Sequence, residues 1–397
     1  MSTTKIINSL LCYALTSVIV VLGVIFGHHF LGDHNDRRTV KGDLVMGFAR
    51  EDGEWYRQIA SKGYSYKTKG RSTCAFFPAY PLLASAVSRV TGLSTEMALL
   101  VVSHCCLAAT FVLTAAYIDR RFGGAYPRLG SYVLLCLGLM PATLFFRMTY
   151  SESLFVFVTV WALFSMEMKW PLLLIALVVG LATATRPVGV ALLGPLLLHC
   201  RDRSATKWNF VGNAAFILPF ACWGIAAYIL FQNVQFGEPL AFAKTQVHWG
   251  WRPVSAYEKF LALVTLEPIW TVFDSADPTY WGFRDLQHGP LFNWTAVNPI
   301  YFVLTVTLVL VGTYKRWLSS YEVFLSTGLL LIPYLTRGYE MGMGSGARFA
   351  AAVFPVYLVL GNILVRLPGS LSGALLGVSA FYLGAFSALF ATLHLVY

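Results

Sequence analysis

The chain has 397 residues, of which 57% are hydrophobic and only 12% are charged, against roughly 25% charged residues in an ordinary soluble domain. This composition excludes a soluble globular protein and indicates a polytopic membrane protein. The formal net charge is +10, but the Lys and Arg residues are scattered between apolar segments. Their distribution favours anionic lipid headgroups and control of topology over nucleic acid, which we exclude as a partner.

Apolar segments of about membrane-spanning length recur along the whole chain. The sequence predicts eleven crossings, at residues 8–30, 98–118, 129–148, 152–168, 170–185, 187–200, 209–231, 299–314, 321–336, 349–366 and 371–395. The segment 76–90 is also apolar, but it is short and contains Pro78 and Pro81. We therefore expect it to be re-entrant or interfacial rather than spanning.

Basic residues in the short connections predict which side of the membrane is cytoplasmic. With the N-terminus inside, every cytoplasmic connection carries at least one such residue, namely Lys5, Arg120, Arg121, Arg128, Lys169, Arg201, Arg203, Lys207, Lys315, Arg316 and Arg366. The segments near 31–97 and 232–298 then form two large extracytoplasmic loops. We expect residues 1–397 to be a single integral-membrane domain.

Asp52 follows the first predicted crossing, in the stretch Arg-Glu-Asp-Gly-Glu-Trp-Tyr at residues 50–56. A carboxylate at a membrane surface could accept a proton from a sugar hydroxyl, and such general-base catalysis typically contributes about 10²- to 10⁴-fold to a rate. Trp55 and Tyr56 could define one wall of a sugar pocket. The alternative is that Asp52 only caps a helix beginning near Gly53, because Asp is a favoured N-cap residue.

Two arginines, Arg186 and Arg348, lie at predicted extracytoplasmic ends of apolar segments. Phosphate groups at a membrane surface are anionic, and the guanidinium fork can bind phosphate oxygens in a bidentate manner. These residues are therefore candidate phosphate ligands. The alternative for both is snorkelling to the membrane interface without a ligand.

Three more candidates fall on the same predicted side. Glu152 begins a predicted helix, where it can pair with an arginine, orient an acceptor, or only complement the helix dipole. His248 could hydrogen-bond a phosphate or a sugar hydroxyl, and Trp249 could stack on a sugar face, with structural roles as the alternative. No close cluster of Asp, Glu and His predicts a metal site, which leaves a divalent metal undecided.

Two further segments complete the expected site. The aromatic and proline-rich residues 76–81 are expected to shape a groove for a lipid carrier. The glycine-rich run 338–346 lacks the Gly-Lys-Ser/Thr ending of a nucleotide-binding loop. We expect this run to be a flexible outward loop before Arg348.

Six segments follow one another in the order found in a known family. They are residues 50–56 with 59–60 and 63–64; 75–83; 150–155; 185–189; 237–242 with 246 and 249–250; and 348–349 before 354–355. In these segments the chain resembles the GPI mannosyltransferase II, or PIG-V-like, group of GT-C glycosyltransferases. One departure is Glu51, at a position where the family usually has Trp.

The resemblance implies a GT-C-like fold with an extracytoplasmic active site, in the cell inner membrane or the endoplasmic reticulum membrane. It implies an inverting transfer, with mannose as the expected sugar, from a polyprenyl-phosphate carrier to an acceptor hydroxyl, with Asp52 as the general base. The acceptor is a glycolipid, a protein or a polymer, and an accessory membrane subunit is left open. Two other classes are weighed: a multi-pass transporter or lipid flippase, which concentrates charges and broken helices near mid-membrane, and a non-catalytic subunit of a glycosyltransferase complex.

Overall fold

A computed structural model describes residues 2–31, 44–123, 128–250, 252, 255–274 and 294–392. Within these ranges the chain forms helices and turns without a β-strand, which confirms the predicted all-α class. The helices, numbered in chain order, are α1 Thr3–Phe26, α2 Asp52–Lys62, α3 Ala79–Thr91, α4 Thr95–Phe122, α5 Leu129–Leu139, α6 Glu152–Glu167, α7 Leu172–Thr185, α8 Leu193–Asp202, α9 Lys207–Ala221, α10 Trp223–Phe236, α11 Ala241–Lys244, α12 Ala256–Val264, α13 Glu267–Trp270, α14 Trp294–Tyr314, α15 Ser320–Pro333, α16 Gly346–Ala351, α17 Pro355–Leu364 and α18 Gly369–Ala391.

Four helices in the described ranges are long and apolar enough to cross a membrane: α1, α4, α14 and α18. Six spans result if each of two bent pairs, α5 with Pro141–Arg147 and α9 with α10, counts as one. A polytopic membrane protein is thereby confirmed. The count of eleven crossings stays a prediction, because other predicted crossings correspond to shorter apolar helices such as the 14-residue α7.

Two of the predicted crossings are interrupted by a proline, and a third, 170–185, ends shortly before one. Met140 and Arg186, the residues before Pro141 and Pro187, have ψ angles of 128° and 148°, since a proline disfavours the helical conformation of its predecessor. The predicted crossing 129–148 consequently bends by 78°, and α7 ends at Thr185. Pro355 similarly begins a new helix, α17, within the predicted crossing 349–366.

The basic connections that were predicted to be cytoplasmic meet at one end of the bundle. Lys5 pairs with Asp119 at 2.8 Å, and the Arg203 guanidinium donates to the carbonyl of Trp170 at 2.7 Å. Trp170 precedes α7, so Arg186, just after the last residue of α7, lies at the opposite end. The candidate site residues and the basic connections are thus separated along the helix axes.

Segment 76–90 forms α3, which is amphipathic and has 13 residues, too few to cross a bilayer core. It exposes Leu82, Leu83 and Val90, the last with 87% of its surface accessible. These features fit the predicted interfacial placement. The second predicted loop, 232–298, begins later than expected, because α10 continues to Phe236.

The predicted orientation can be tested by labelling cysteines placed at the two ends of the bundle. Lys67 and Lys207 are both exposed, so a cysteine at either position is open to a membrane-impermeant maleimide. In a background that lacks the seven native cysteines, we expect one of the two cysteines to react only after permeabilisation: Lys207→Cys in intact bacterial cells, whose extracytoplasmic face is outward, and Lys67→Cys in sealed microsomes, whose cytoplasmic face is outward. Labelling of both from the same side would contradict the orientation.

Candidate functional site

Asp52 is the first residue of α2, and its side chain is turned into the protein. Its Oδ2 lies 2.5 Å from Nη1 of Arg348, 296 residues further along the chain. The N-cap position belongs to Glu51, and no side chain caps the helix. The capping alternative for Asp52 is therefore wrong. Glu51 itself has φ 53°, a region that non-glycine residues adopt at an energetic cost and that is frequent at functional sites.

The segment Tyr150-Ser151-Glu152 holds the start of α2 in place. The Tyr150 hydroxyl accepts a hydrogen bond from the backbone N–H of Asp52 at 3.2 Å. Ser151 Oγ accepts one from the Tyr56 hydroxyl at 2.8 Å. Burial, and then the negative charge of Glu152, raise the pKa of the Tyr56 phenol, so Tyr56 remains a neutral donor behind the site rather than an exposed wall of it.

Glu152 lies between the two arginines that the sequence singled out. Its Oε1 is 2.5 Å from Nη1 of Arg186 and 3.2 Å from Nε of Arg348. Its side chain is 2% exposed, and its Oε2 has no hydrogen-bond partner among the described residues. The helix-dipole alternative does not account for these two ion pairs.

Asp52, Glu152, Arg186 and Arg348 therefore form one group, which we call the charged cluster. The ring of Phe349 lies beside both guanidinium groups, with its centroid 5.4 Å from Cζ of Arg186 and 5.5 Å from Cζ of Arg348. Both arginines are almost fully buried and bound to carboxylates. Interface snorkelling does not describe either of them.

An aromatic wall stands next to Asp52. The ring centroids of Trp55, Phe76 and Trp249 are 5.7 to 6.0 Å apart, and the Arg71 guanidinium lies 5.5 Å from the Trp249 ring. Trp55 and Trp249 are thus brought together as predicted. His248 joins this region through its carbonyl, which accepts from Arg71 Nε at 3.3 Å, and no described contact links its imidazole to the charged cluster.

Two expectations for neighbouring segments are wrong. Residues 76–81 were expected to line a groove, but Phe77 and Tyr80 are buried, with Phe77 packed against Tyr228 and Phe242. The run 338–346 was expected to be a flexible loop, but it forms turns in which Tyr339, Met343 and Ser345 are buried. In both places most of the apolar and aromatic side chains fill space in the interior, although Phe76 belongs to the aromatic wall.

Arg337 is a cation that the sequence analysis missed. It lies in the π-helical turn Tyr334–Gly338 after α15, and its guanidinium donates to Oε1 of Gln246. Its place after an apolar run resembles that of an interfacial arginine, so the sequence gives no separate signal for it. Within the described ranges, no group of three or more His, Cys, Asp or Glu residues could hold a metal ion.

Part of the chain is similar to a known protein family. The model of the mannosyltransferase (PIG-V) family matches residues 38–203. The GPI alpha-1,6-mannosyltransferase 2 of Cricetulus griseus is 32% identical over 169 residues, which cover 40% of this chain and 33% of that protein. The Mus musculus protein of the same name is 31% identical over 186 residues, covering 45% of this chain and 35% of that protein.

The predicted PIG-V-like resemblance is therefore confirmed over residues 38–203, which contain Asp52, Glu152 and Arg186. The match spans about a third of the length of these curated relatives. Among solved structures, an Archaeoglobus fulgidus oligosaccharyltransferase tethered to an acceptor peptide superposes with a TM-score of 0.47 and 14% identity. That superposition covers 96% of this chain and 55% of the other.

Loss of the Glu152 charge is expected to destabilise the fold. Glu152→Gln would leave Arg186 and Arg348 without their shared carboxylate, and breaking a buried ion pair costs about 3–5 kcal/mol. Thermal unfolding of the purified protein in lipid nanodiscs measures this loss. The matched control is Glu96→Gln, which breaks a partly exposed pair with Arg57 and should cost at most about 1 kcal/mol. Equal losses from the two substitutions would contradict the role given to Glu152.

The position of Asp52 depends on the small size of Gly53. A Cβ added there would lie 2.3 Å from Thr149 Oγ1, so we expect Gly53→Ala to destabilise the protein by about 1–3 kcal/mol. Thr149→Ala removes the clashing hydroxyl, and the double variant should recover at least about 0.5 kcal/mol of that loss. Gly212→Ala, where an added Cβ meets nothing within 4 Å, is the control. Additive effects of Gly53→Ala and Thr149→Ala in a double-mutant cycle would rule out the contact.

Proposed function

We propose that the protein is an integral-membrane mannosyltransferase of GT-C-like fold. In this proposal it moves mannose from polyprenyl-phosphate mannose to an acceptor hydroxyl, with inversion at the anomeric carbon. The family resemblance over residues 38–203 supports the class of enzyme. The observation that carries the proposal is the ion pair of Asp52 and Arg348, which joins a carboxylate and a cation from distant parts of the chain at 2.5 Å.

Asp52 acts as the general base. Arg348 donates a hydrogen bond to Oδ2 of Asp52, and 25% of the Asp52 side chain is exposed. The carboxylate is therefore oriented by Arg348 and still accessible to a substrate. It accepts the proton of the acceptor hydroxyl while that oxygen attacks the anomeric carbon of mannose. The bond from this carbon to the phosphate oxygen breaks, and its electron pair leaves with the polyprenyl phosphate.

Arg186 and Arg348 stabilise the negative charge that develops on the leaving phosphate. Their positions are fixed before the reaction by Glu152, and preorganised charges are more effective than mobile ones because they need no reorganisation during the step. The aromatic wall of Trp55, Phe76 and Trp249 provides a face on which a sugar ring can stack. His248 lies beside this wall and is proposed to contact sugar hydroxyls or phosphate.

The names of the similar GPI mannosyltransferases favour a glycolipid acceptor, and of the two membranes that the sequence analysis left open we propose the endoplasmic reticulum membrane. The site is proposed to face away from the cytoplasm, because the basic connections lie at the other end of the bundle. A transporter is not favoured, since the charged cluster lies at helix ends rather than near mid-membrane. The presence of Asp52 with both arginines argues against a non-catalytic subunit.

The decisive experiment uses the protein in proteoliposomes with polyprenyl-phosphate mannose and a panel of glycolipid, peptide and oligosaccharide acceptors. Asp52→Asn is expected to lower kcat by about 10²- to 10⁴-fold, and Asp52→Glu to recover part of it. Glu54→Gln, an exposed neighbour on the same helix, is the control and should keep the wild-type rate. Thermal unfolding of each variant separates loss of chemistry from loss of fold.

Near wild-type transfer by folded Asp52→Asn would remove Asp52 from the mechanism. Absence of transfer by the wild-type protein to every acceptor, with its fold intact, would contradict the proposed activity.

A further inference from the structure

Helix α12 has a different chemical character on each of three faces. It consists of nine residues, too few to cross a bilayer core. Ala262 on its inner face is buried, and Lys259 on the same face is half-buried. Both outer faces are exposed, but one of them is polar and the other is apolar. A division of this kind is typical of a helix that lies along a membrane surface.

The inner face attaches α12 to the end of the bundle that holds the charged cluster. Lys259 donates a hydrogen bond to a carboxylate oxygen of Glu340, which shortly precedes Arg348 in the chain. The Tyr334 hydroxyl, just after α15, donates to the carbonyl of Leu263 at 2.8 Å. The level of α12 along the bundle is therefore fixed relative to Arg348.

The apolar outer face is formed by four large side chains that follow the i, i+3, i+4, i+7 spacing of one helix face. They are 49% to 75% exposed, and a contiguous apolar surface of this kind is unfavourable in water. Tyrosine and tryptophan rings are favoured at the boundary between lipid and water, and a tryptophan that follows α12 is exposed as well. These residues are Tyr257, Phe260, Leu261 and Val264, followed by Trp270.

The polar outer face lies beside the apolar one and carries Glu258 and Thr265, both exposed. A carboxylate turned toward hydrocarbon is costly, so α12 does not fit inside the bilayer core. Four exposed apolar side chains fit poorly in water. The boundary between lipid and water is the one environment that suits both outer faces at once.

The exposed surface of a membrane helix adjoins this region. Helix α14 is long and apolar enough to cross a membrane, and Ile300, Val303 and Leu304 near its first turns are nearly half exposed. Helix α13 and the turn Thr271–Phe273, which follow α12 in the chain, pack against α14. The segment that contains α12 therefore lies next to a surface that faces hydrocarbon.

We propose that α12 binds the lipid surface of the leaflet on the side of the site. Its apolar face enters the bilayer surface by about 5–10 Å, and its polar face stays in water. The predicted interfacial helix α3 is joined to α2 through Tyr80 and Tyr56, whose ring centroids are 5.0 Å apart. Asp52 and Arg348 each lie in a segment that is attached to one interfacial helix. This placement requires a membrane protein but no particular reaction.

The test places a spin label on each outer face of α12 in the full chain. Phe260→Cys and, as the matched control, Glu258→Cys are made in a background that lacks the seven native cysteines. Each variant is labelled with a nitroxide and reconstituted in phosphatidylcholine vesicles without another protein. Electron paramagnetic resonance then measures collisions with oxygen, which concentrates in hydrocarbon, and with a water-soluble nickel chelate present on both sides of the membrane.

We expect the label at position 260 to collide mainly with oxygen, at a depth within about 10 Å of the headgroups, and the label at 258 mainly with nickel. Equal nickel accessibility at both positions would place the apolar face in water and overturn the inference. Exclusion of both reagents at 260 would show that a second copy of the chain covers the face, and a depth at mid-bilayer would exclude an interfacial helix. If Phe260→Cys does not fold, Leu261→Cys tests the same face.

Discussion

The structure depends on the pairing of Arg348 with two carboxylates from distant parts of the chain. Arg348 sits on α16, a helix of six residues that is too short to be stable by itself. Buried charges are tolerated where they are paired. The charged side chains can therefore be buried only where α16, the start of α2 and the start of α6 are in contact. The charged cluster exists only when these three helices are packed together.

A second buried ion pair fixes the opposite end of the bundle in the same way. Glu322, fully buried at the start of α15, accepts two hydrogen bonds from Arg121 and one from the Tyr117 hydroxyl. Its side chain also completes a capping box with Ser319. This pair links α4 to α15, so among the described residues both ends of the bundle have buried ion pairs that join the first and second halves of the chain.

The sequence predicted the all-α membrane class and singled out the charged residues of the cluster, because apolar runs and charges at their ends are local signals. Asp52, Glu152, Arg186 and Arg348 were found separately, and the structure brings all four into one cluster. Their pairing could not be read from the sequence, since it depends on how helices pack. For the same reason Arg121 counted only as a topology marker, and Arg337 was missed.

The wrong predictions also arose because a local sequence pattern does not show how helices pack. Length and apolarity predicted crossings 129–148 and 349–366 as continuous, although Pro141 and Pro355 interrupt them. Aromatic residues at 76–81 looked like the wall of a groove, but aromatics serve equally to fill an interior. In a membrane protein, hydrophobicity does not distinguish a side chain facing lipid, a substrate or another helix.

The prolines that interrupt helices on the side of the site leave backbone groups there without helical partners. Each break leaves peptide groups that hydrocarbon cannot satisfy, so this layer of the protein requires water or polar cover. In this protein the bundle itself supplies that cover after the first break, since residues 141–147 are all buried. The consequence is a polar layer that is screened from hydrocarbon by protein, in which charged side chains can meet without touching lipid.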